Sequence, residues 1–444
     1  MGATIIEQFD QALAQQQEAA AARCAAPTTG LERERVVAAI DRRAGLEEFN
    51  APDRMARRLD RLTRYAAGEP VPMSASEMPT RPAEEVIAAS IERAATRADP
   101  TVGPLAEIAA AVADSGAAVR GEEAGAVASE RDLERRAGVV LEAIIGSQDY
   151  VGIRYLEAGV AAARAVGRVH IRDGSGRGYG SGSLVSPRLL LTNHHVLRSA
   201  EVARLSEIEF NYQDGIDGRP LQPRFFALDP DSFFLADRER DFALVAVAAG
   251  DRGLAQFGFN RLIEAEGKAV LGEFVTIIQH PGGEKKQIAL RENRVVGMLE
   301  LFVHYKTDTK PGSSGSPVFN DQWEVVALHH ASVPAPANEK VGRIINEGIR
   351  ASRILQFVKE QQRPGSQRAL VDQLFSPERI DLAIAPVEEP PPAASTRPTV
   401  SEGHAPVPAS PGVASGGVEI NLPLEISITV APRRSGDSPS APPD

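Results

Sequence analysis

The sequence predicts a multidomain α and β protein. Its expected parts are an amino-terminal helical bundle, an all-β barrel or sandwich domain, and a disordered Pro-rich tail with a terminal β-strand. Three observations predict this order. Helix-forming residues dominate 1–150, short β-branched runs broken by Gly, Pro and Asp follow, and prolines accumulate after residue 385. The chain of 444 residues has room for roughly two to four domains.

The composition excludes several classes of protein. Cys24 is the single cysteine, so no intrachain disulfide and no cysteine-rich metal site can form. A formal net charge of -11 opposes binding to phosphate backbones. No apolar run reaches the roughly 18–20 residues that cross a bilayer, and no basic residue precedes Arg23. We therefore expect a cytoplasmic protein without nucleic-acid or membrane partners.

Residues 1–150 carry the sequence pattern of a helical bundle. Ala, Leu, Glu, Gln and Arg dominate, and apolar residues recur at helical spacing, as at Ile5, Phe9 and Leu13. Helix breakers divide the region into roughly five or six predicted helices; they include Pro27, Gly45, Pro79, Pro82 and Pro100. We expect a regulatory or adaptor module that docks on a protein partner or masks a site elsewhere in the chain.

Residues 151–365 change to the pattern of an all-β domain. Short apolar or β-branched runs alternate with turn-forming residues, at 169–171, 184–185, 189–191, 242–247, 275–278, 295–296, 318–319 and 325–328. Many short strands without long helices between them are typical of a barrel or a sandwich. A closing helix is predicted over 345–361.

Two segments complete the chain. Residues 366–417 are a Pro/Ala-rich linker that we expect to be extended and poorly packed. Residues 418–431 alternate apolar and polar side chains, which predicts one two-faced β-strand. Pro423 lacks a backbone N–H, which favours an edge position or a bulge. The strand could pack on the chain's own barrel, or it could add to a protein partner or a second copy.

Three segments combine a base, an orienting carboxylate and a nucleophile; they are LTNHHV at 191–196, DFALV at 241–245 and PGSSGSP at 311–317. A serine hydroxyl needs an imidazole to take its proton, and the imidazole needs a buried carboxylate to fix its tautomer. Ser314, His195 and Asp241 are the candidates for these catalytic roles. Gly312 lets the backbone turn tightly, so that the N–H groups of Gly312 and Ser314 can form an oxyanion hole.

The order of these residues along the chain discriminates among serine hydrolases. An α/β-hydrolase has the order Ser, Asp, His and a subtilisin-like enzyme has Asp, His, Ser, whereas this chain has His195, Asp241, Ser314. The G-x-S-x-G pattern of a nucleophile elbow also fails, because Ser316 occupies the last glycine position. Only the order His, Asp, Ser of the chymotrypsin arrangement fits.

The three segments resemble the motifs of trypsin-like serine peptidases, over about 165–360. Together with Thr309, the runs GSGSLV at 180–185 and VVALH at 325–329 are most similar to bacterial glutamyl-endopeptidase-like members. The resemblance implies a chymotrypsin-like double antiparallel β-barrel, with His195 and Asp241 from the first barrel and Ser314 from the second. It further implies hydrolysis of peptide bonds in a protein or peptide substrate, with no cofactor.

The resemblance leaves the preferred substrate side chain open. Thr309 and His329 stand where glutamyl peptidases hold a substrate carboxylate, and a hydroxyl and an imidazolium are suitable donors. Asp308 stands where trypsin-like enzymes place the aspartate that binds Arg or Lys, although an Asp-Thr pair also occurs among glutamyl peptidases. We expect acidic substrates, with basic substrates as the alternative. Ser313 replaces the aspartate that receives a new amino terminus in many animal members, so we do not expect that activation route.

The remaining histidines predict no metal site. His194 neighbours the candidate base, but its side chain points away from that base in an extended segment, so we expect a structural role. His280 precedes a Pro-Gly-Gly turn, and His170, His304 and His330 have no acidic or histidine partner at metal-ligand spacing. A second class of function stays open: an interaction or adaptor protein that uses a protease-fold barrel as a binding module.

Overall fold

The computed structural model describes residues 5–25, 50–97, 153–172, 177–248, 253–290, 293–334, 344–362 and 364–375, together with 135, 137, 138, 140 and 141. All of them lie in the first of two units into which the chain divides, Met1–Ala385. The predicted strand at 418–431 and most of the predicted linker at 366–417 lie outside the described residues.

The helices are α1 (Ile5–Ala25), α2 (Pro52–Ala67), α3 (Ala83–Arg97), α4 (Arg154–Arg164), α5 (Ala200–Leu205), α6 (Ala351–Glu360) and α7 (Gly365–Phe375). The strands of the first sheet are β1 (Val166–Arg172), β2 (Arg177–Leu184), β3 (Leu189–Thr192), β4 (Glu207–Phe210), β5 (Arg224–Ala227), β6 (Phe234–Asp237) and β7 (Phe242–Ala246). Those of the second sheet are β8 (Thr276–Gln279), β9 (Gln287–Ala289), β10 (Val295–Met298), β11 (Phe302–Tyr305), β12 (Pro317–Phe319), β13 (Val325–Pro334) and β14 (Ile344–Arg350).

The strands form two antiparallel sheets. In the described part of the chain the first sheet has the order β5-β4-β1-β2-β3-β7-β6 and the second has the order β10-β11-β14-β13-β12-β8-β9. Every neighbouring pair is antiparallel, as in β1 with β2 and β13 with β14. These sheets and the helices before them confirm the predicted fold class of a helical region followed by a chymotrypsin-like arrangement of two β-barrels.

The burial of each strand follows its sequence pattern. In β1, Val169 and Ile171 are buried and the intervening Arg168 and His170 are half-buried, as a period of two requires for a strand with one face on the core. Every residue of β7 is buried, which fits its unbroken apolar sequence FALVA. Because β7 begins at Phe242, the candidate orienting carboxylate stands directly before a strand that packing holds in place.

A large apolar core joins the two barrels. It includes Leu191, Phe242, Leu244, Phe302, Leu328 and Ile349 from the strands, and Ile354, Leu355, Leu370 and Leu374 from α6 and α7. Fully burying each such side chain contributes about 1.5–3 kcal/mol. Since the core draws on both sheets, the two barrels are held together, and the segments at their junction are fixed in relation to each other.

Helix ends follow local sequence signals. α2 begins with Pro52, whose fixed φ suits the first turn, and Asp53 places a negative charge near the positive end of the helix dipole. Gly68 directly follows the helix and takes the φ of 68° that other residues disfavour. In the parts of the chain described above, every helix is too short or too polar to span a bilayer.

The helical region has a core of its own, which includes Met55, Leu59, Leu62, Val86 and Ile87. It docks on the second barrel through two buried ion pairs. Arg58 pairs with Glu273, and Nε of Arg61 donates to both carboxylate oxygens of Glu324 at 3.0 Å. Removing one partner of a buried pair costs about 3–5 kcal/mol, because the other charge is left uncompensated. These pairs therefore fix α2 on the barrel.

The closing helix differs from its prediction. Ile344–Arg350 forms β14, which pairs with β11 and with β13, and the helix begins only at Ala351. The prediction over 345–361 is wrong at its start, because strand pairing on both sides overrode the helical spacing of the isoleucines. α7 continues the packed region beyond residue 365, since Leu374 is only 1% exposed.

Candidate active site

The candidate base His195 lies in a tight turn that follows β3. The N–H groups of Val196 and Leu197 donate to the Asn193 carbonyl and close this turn. Nδ1 of His195 lies 2.7 Å from Oδ2 of Asp241, and the backbone N–H of His195 donates to Oδ1 at 3.0 Å. Both side chains are fully buried. The carboxylate thus holds the imidazole in one orientation, with Nδ1 as the donor.

Asp241 itself has a left-handed backbone conformation, with a φ of 48°. Non-glycine residues rarely adopt it, and such strain persists only where surrounding contacts impose it. Here the Asn193 amide donates to the Asp241 carbonyl at 2.8 Å, and His195 and His330 hold the carboxylate. Burial raises the pKa of the Asp241 carboxyl, but the charges and hydrogen bonds of the two histidines outweigh burial and hold that pKa below its usual range.

The turn that carries Ser314 packs against strand β2 of the first barrel. The N–H of Ser181 in β2 donates to the Ser314 carbonyl at 2.8 Å. Gly315 has a φ of 88°, and a Cβ at this position would lie 2.0 Å from the Ser181 oxygen and 2.3 Å from Oγ1 of Thr192. Glycine is therefore required there. Because Thr192 ends the strand that leads to His195, the serine turn lies beside the segment that carries the imidazole.

The turn at Pro281–Gly283 holds the peptide bond between Pro311 and Gly312 in one orientation. The Gly282 N–H donates to the Pro311 carbonyl at 2.6 Å. In a trans peptide the carbonyl and the N–H point in opposite directions, so the Gly312 N–H points away from Gly282. Gly312 has a φ of 96°, and a Cβ on it would lie 2.7 Å from both the Gly283 nitrogen and the His280 oxygen. This position also requires glycine.

A cavity of about 460 Å³ lies beside Ser314. The second barrel contributes the three predicted substrate-binding residues, Asp308, Thr309 and His329, together with His330 and Ser332 of β13. The helical region contributes Leu13 and Gln17 of α1. The same space is therefore bordered by the candidate nucleophile, by the predicted specificity residues and by the amino-terminal helix.

The predicted substrate-binding residues differ in burial. Asp308 is exposed, Thr309 is half-buried and His329 is buried. The Thr309 hydroxyl donates to Oδ1 of Asn346 at 2.8 Å, and Nδ1 of His329 lies 2.8 Å from the Tyr305 hydroxyl. Burial lowers the pKa of His329 to about 3. His329 is therefore neutral near pH 7, so it offers a hydrogen bond rather than the positive charge that we expected from the sequence.

The sequence did not reveal a buried chain of hydrogen bonds behind Asp241. Nδ1 of His330 lies 3.1 Å from Oδ2 of Asp241, and its Nε2 lies 2.8 Å from Oε1 of Glu347. Nε2 of His304 lies 2.8 Å from Oε2 of Glu347. No spacing along the sequence signals these contacts, because the pairing of β14 with both β11 and β13 creates them.

Two further histidines flank the site. His194 is half-buried, and burial lowers its pKa. His280 is buried, and Nδ1 lies 2.9 Å from the Glu284 carbonyl oxygen, with a pKa that burial lowers to about 3. Among the described residues, no group of three or more His, Cys, Asp or Glu side chains is arranged to hold a metal ion.

Residues 180–328 match the family model described as a trypsin-like peptidase domain. The matched range begins in β2, ends in β13 and includes His195, Asp241 and Ser314. Over these residues the chain is similar to trypsin-like peptidase domains. The match confirms the resemblance drawn from the sequence, and the trypsin-like domain is the part of the chain that carries the buried histidine–carboxylate pair and the serine turn.

Known proteins are similar to parts of this chain. A Sinorhizobium fredii protein described as uncharacterized protein y4fB is 39% identical over 279 residues, which are 53% of this chain and 42% of that protein. A glutamyl endopeptidase of Staphylococcus aureus is 25% identical over 202 residues, which are 41% of this chain and 53% of that protein. The chain spans about half the length of these curated relatives. The active form of the Rv3671c protease from M. tuberculosis is 17% identical with a TM-score of 0.35, over 47% of this chain and 87% of that chain.

Proposed function

We propose that this chain is a serine endopeptidase in which Ser314 is the nucleophile, His195 is the general base and Asp241 orients the imidazole. The buried 2.7 Å contact between Nδ1 of His195 and Oδ2 of Asp241 carries the proposal. It lies within the trypsin-like domain, and the turn that carries Ser314 packs on the strands beside it. The order of the three residues along the chain supports the same assignment.

The geometry supports hydrolysis in two steps. Asp241 accepts a hydrogen bond from Nδ1–H of His195, so Nε2 can remove the Ser314 proton as the hydroxyl oxygen attacks the peptide carbonyl. The N–H groups of Gly312 and Ser314 stabilise the oxyanion, and one such donor is commonly worth about 3–4 kcal/mol. Protonated His195 then gives its proton to the leaving amine, and an acyl-enzyme remains. Water, activated by the same imidazole, releases the acid product and restores the serine.

Replacement of the nucleophile or the base tests this proposal. Ser314→Ala and His195→Ala are each expected to lower the hydrolysis of labelled casein by several orders of magnitude while the fold stays intact. Ser316→Ala is the matched control, since this serine lies in the same turn and its hydroxyl has no hydrogen-bond partner among the described residues. Unchanged hydrolysis in Ser314→Ala would exclude the mechanism. Binding of peptides without any turnover would favour the alternative of an adaptor protein with a protease-fold barrel.

The same site favours substrates with an acidic side chain before the scissile bond. Neutral His329 supplies an uncharged donor at the cavity, and hydrogen bonds to a charged group are worth about 1.5–3 kcal/mol. The Thr309 hydroxyl donates to Asn346 in this structure, so it would have to turn its hydrogen away from Asn346 to donate to a substrate carboxylate. Asp308 is exposed, so water screens its charge and a substrate Arg or Lys would find no buried counter-ion in that carboxylate. The similarity to a glutamyl endopeptidase supports the acidic preference.

A peptide library with products mapped by mass spectrometry tests the preference. Cleavage after Glu or Asp is expected, and cleavage only after Arg or Lys would reverse the assignment. His329→Leu removes one hydrogen-bond donor to the substrate carboxylate. It should therefore lower kcat/KM for a Glu substrate about tenfold or more, and lower it less for the matched Gln substrate, whose side chain is uncharged. An equal loss for both substrates would mean that His329 does not read the carboxylate.

The amino-terminal region regulates this site through α1. The helix packs on β2 and on β13, and β13 lines the cavity. Leu13 and Gln17 line the cavity, Nε2 of Gln16 donates to the Arg238 carbonyl at 2.9 Å, and Ala20 is fully buried. A polypeptide substrate would have to displace this helix to enter the cavity. α1 therefore acts as a mask, and a protein that binds α1 would release it.

Two substitutions in α1 of the full chain separate masking from a general effect of added charge. Ala20→Asp buries a carboxylate and is expected to detach the helix and raise the hydrolysis rate. Ala14→Asp makes the same change at an exposed position and is expected to leave the rate unchanged. Equal rates in both variants and the parent would remove α1 from the account. A cytoplasmic location and a partner for the strand at 418–431 stay predictions.

A further inference from the structure

His330 occupies an irregular position in β13. The register between β13 and β14 shifts between His329 and Ala331, so His330 is the extra residue of a β-bulge. A bulge can re-aim the side chain that it carries. Here the two adjacent histidines serve different surroundings: His329 contacts the Tyr305 hydroxyl at the cavity, whereas His330 reaches the carboxylate of Asp241.

Both ring nitrogens of His330 face carboxylate oxygens. Nδ1 lies 3.1 Å from Oδ2 of Asp241 and Nε2 lies 2.8 Å from Oε1 of Glu347, and all three side chains are fully buried. An ionised carboxylate only accepts hydrogen bonds, so each contact requires an N–H on the ring. A histidine with two N–H groups carries a positive charge, and this charge offsets the cost of burying two carboxylates together.

We propose that His330 is a positioning residue that bridges Asp241 and Glu347 as an imidazolium, and that it thereby fixes the carboxylate that orients His195. This inference rests on the proposed function. Oδ2 of Asp241 accepts from both histidines, at 2.7 Å from Nδ1 of His195 and at 3.1 Å from Nδ1 of His330. The His330 charge thus acts on the same oxygen that the candidate base uses.

The surroundings of His330 support a stable positive charge. Burial lowers the pKa of His330, but the hydrogen bonds and charges of Asp241 and Glu347 outweigh it and raise that pKa above its ordinary value. Phe302 of β11 stacks on the ring, with centroids 5.5 Å apart. The neighbouring imidazoles are His195, from the first barrel, and His329, on the same strand. From α1, the cavity beside His330 is lined by the uncharged Leu13 and Gln17.

Glu347 is held from a third strand as well. His304 of β11 lies directly opposite Glu347 of β14 in the sheet, and Nε2 of His304 lies 2.8 Å from Oε2. Each oxygen of Glu347 therefore faces a ring nitrogen. The hydrogen-bonded chain runs from His195 through Asp241, His330 and Glu347 to His304, and so ties the triad carboxylate to the second sheet.

The charge has a measurable consequence for catalysis. Nδ1 of His195 and Nδ1 of His330 lie 2.7 Å and 3.1 Å from the same Asp241 oxygen, so the His330 charge is close to the His195 imidazole and opposes its protonation. Removing the charge should move the acidic limb of the kcat/KM profile to higher pH by about one to two units at an effective dielectric constant near 20. A purely structural role for His330 would lower kcat/KM at every pH and leave the limb where it is.

His330→Asn tests the consequence, because the Asn amide can still donate to Asp241 but carries no charge. The profile of the full-length variant is expected to show the upward shift. His170→Asn is the matched control. His170 also contacts a carboxylate, with Nε2 at 2.7 Å from Oε2 of Glu209, but this pair lies elsewhere on the first barrel and does not include Asp241. An acidic limb at the parent position in His330→Asn, or the same shift in His170→Asn, would overturn the proposal.

The protonation state of His330 can be measured without catalysis. In the full-length Ser314→Ala protein labelled with ¹⁵N-histidine, both ring nitrogens of His330 are expected to carry protons at about pH 7, above the ordinary histidine pKa of about 6.5, with assignment from the His330→Asn spectrum. Glu347→Gln should lower the pH at which the second proton is lost. A singly protonated His330 at about pH 7 would refute the bridge. If the parent protein hydrolyses no peptide while the doubly protonated ring is observed, the proposed function fails and the bridging imidazolium stands.

Discussion

Gly312→Ala tests the proposed oxyanion hole, because the backbone conformation at residue 312 requires glycine. Gly312 has a φ of 96°, and an alanine Cβ would lie 2.7 Å from the Gly283 nitrogen and from the His280 oxygen. The left-handed conformation costs an alanine about 1–2 kcal/mol, and the clash with backbone atoms forces the peptide to move in addition. Movement of the Gly312 N–H removes one oxyanion donor, so kcat should fall by about 10²–10³ with little change in KM.

Gly218→Ala is the matched control for this substitution. Gly218 also has a left-handed φ, of 75°, but no atom lies within 4 Å of the added Cβ. It should lose stability to the same conformational strain and keep its kcat. The assay is steady-state hydrolysis of the best peptide from the library, with urea unfolding of each variant measured alongside. A kcat for Gly312→Ala within a few-fold of that of Gly218→Ala would refute the reasoning.

Two further predictions concern stability. His280 and His329 have pKa values that burial lowers to about 3. The unfolded chain therefore binds more protons than the folded chain as pH falls below about 6.5, and stability declines by a few kcal/mol per group, on the order of 3 kcal/mol, at about pH 4.5. His280→Gln should therefore reduce the loss in unfolding free energy between pH 7 and pH 4.5, and an unchanged loss in urea titrations would contradict this. Arg61→Met leaves Glu324 buried without its partner and should lower the unfolding free energy by about 3–5 kcal/mol. Arg61→Met with Glu324→Leu should recover most of that loss, and a double variant as unstable as the single one would argue against the ion-pair explanation.

The residue types of the candidate triad could be predicted from the sequence, because their chemistry depends on local motifs. The order His195, Asp241, Ser314 and the glycines around the serine carry that information. The motifs also place Asp241 next to an apolar run that forms a fully buried strand. They do not give its left-handed φ, which accompanies contacts with Asn193 and His195, or the second histidine on its carboxylate, which comes from the other barrel.

Other features required the three-dimensional pairing of distant segments. Glu347 lies in a stretch whose apolar residues have helical spacing, and only the pairing of β14 with β11 and β13 makes it a strand and brings Glu347 to His330. Leu13 belongs to a segment whose apolar residues have helical spacing in the sequence, but nothing in that pattern indicates that the helix borders the cavity beside Ser314. The burial that keeps His329 neutral likewise arises from tertiary packing.

Covalent labelling with a fluorophosphonate, followed by mass mapping of the modified peptide, tests the central claim most directly. The account predicts a single adduct on Ser314, formed faster in Ala20→Asp than in the parent chain and lost in His195→Ala. An adduct on another serine, or labelling of Ser314 at the same rate with and without the imidazole, would contradict it.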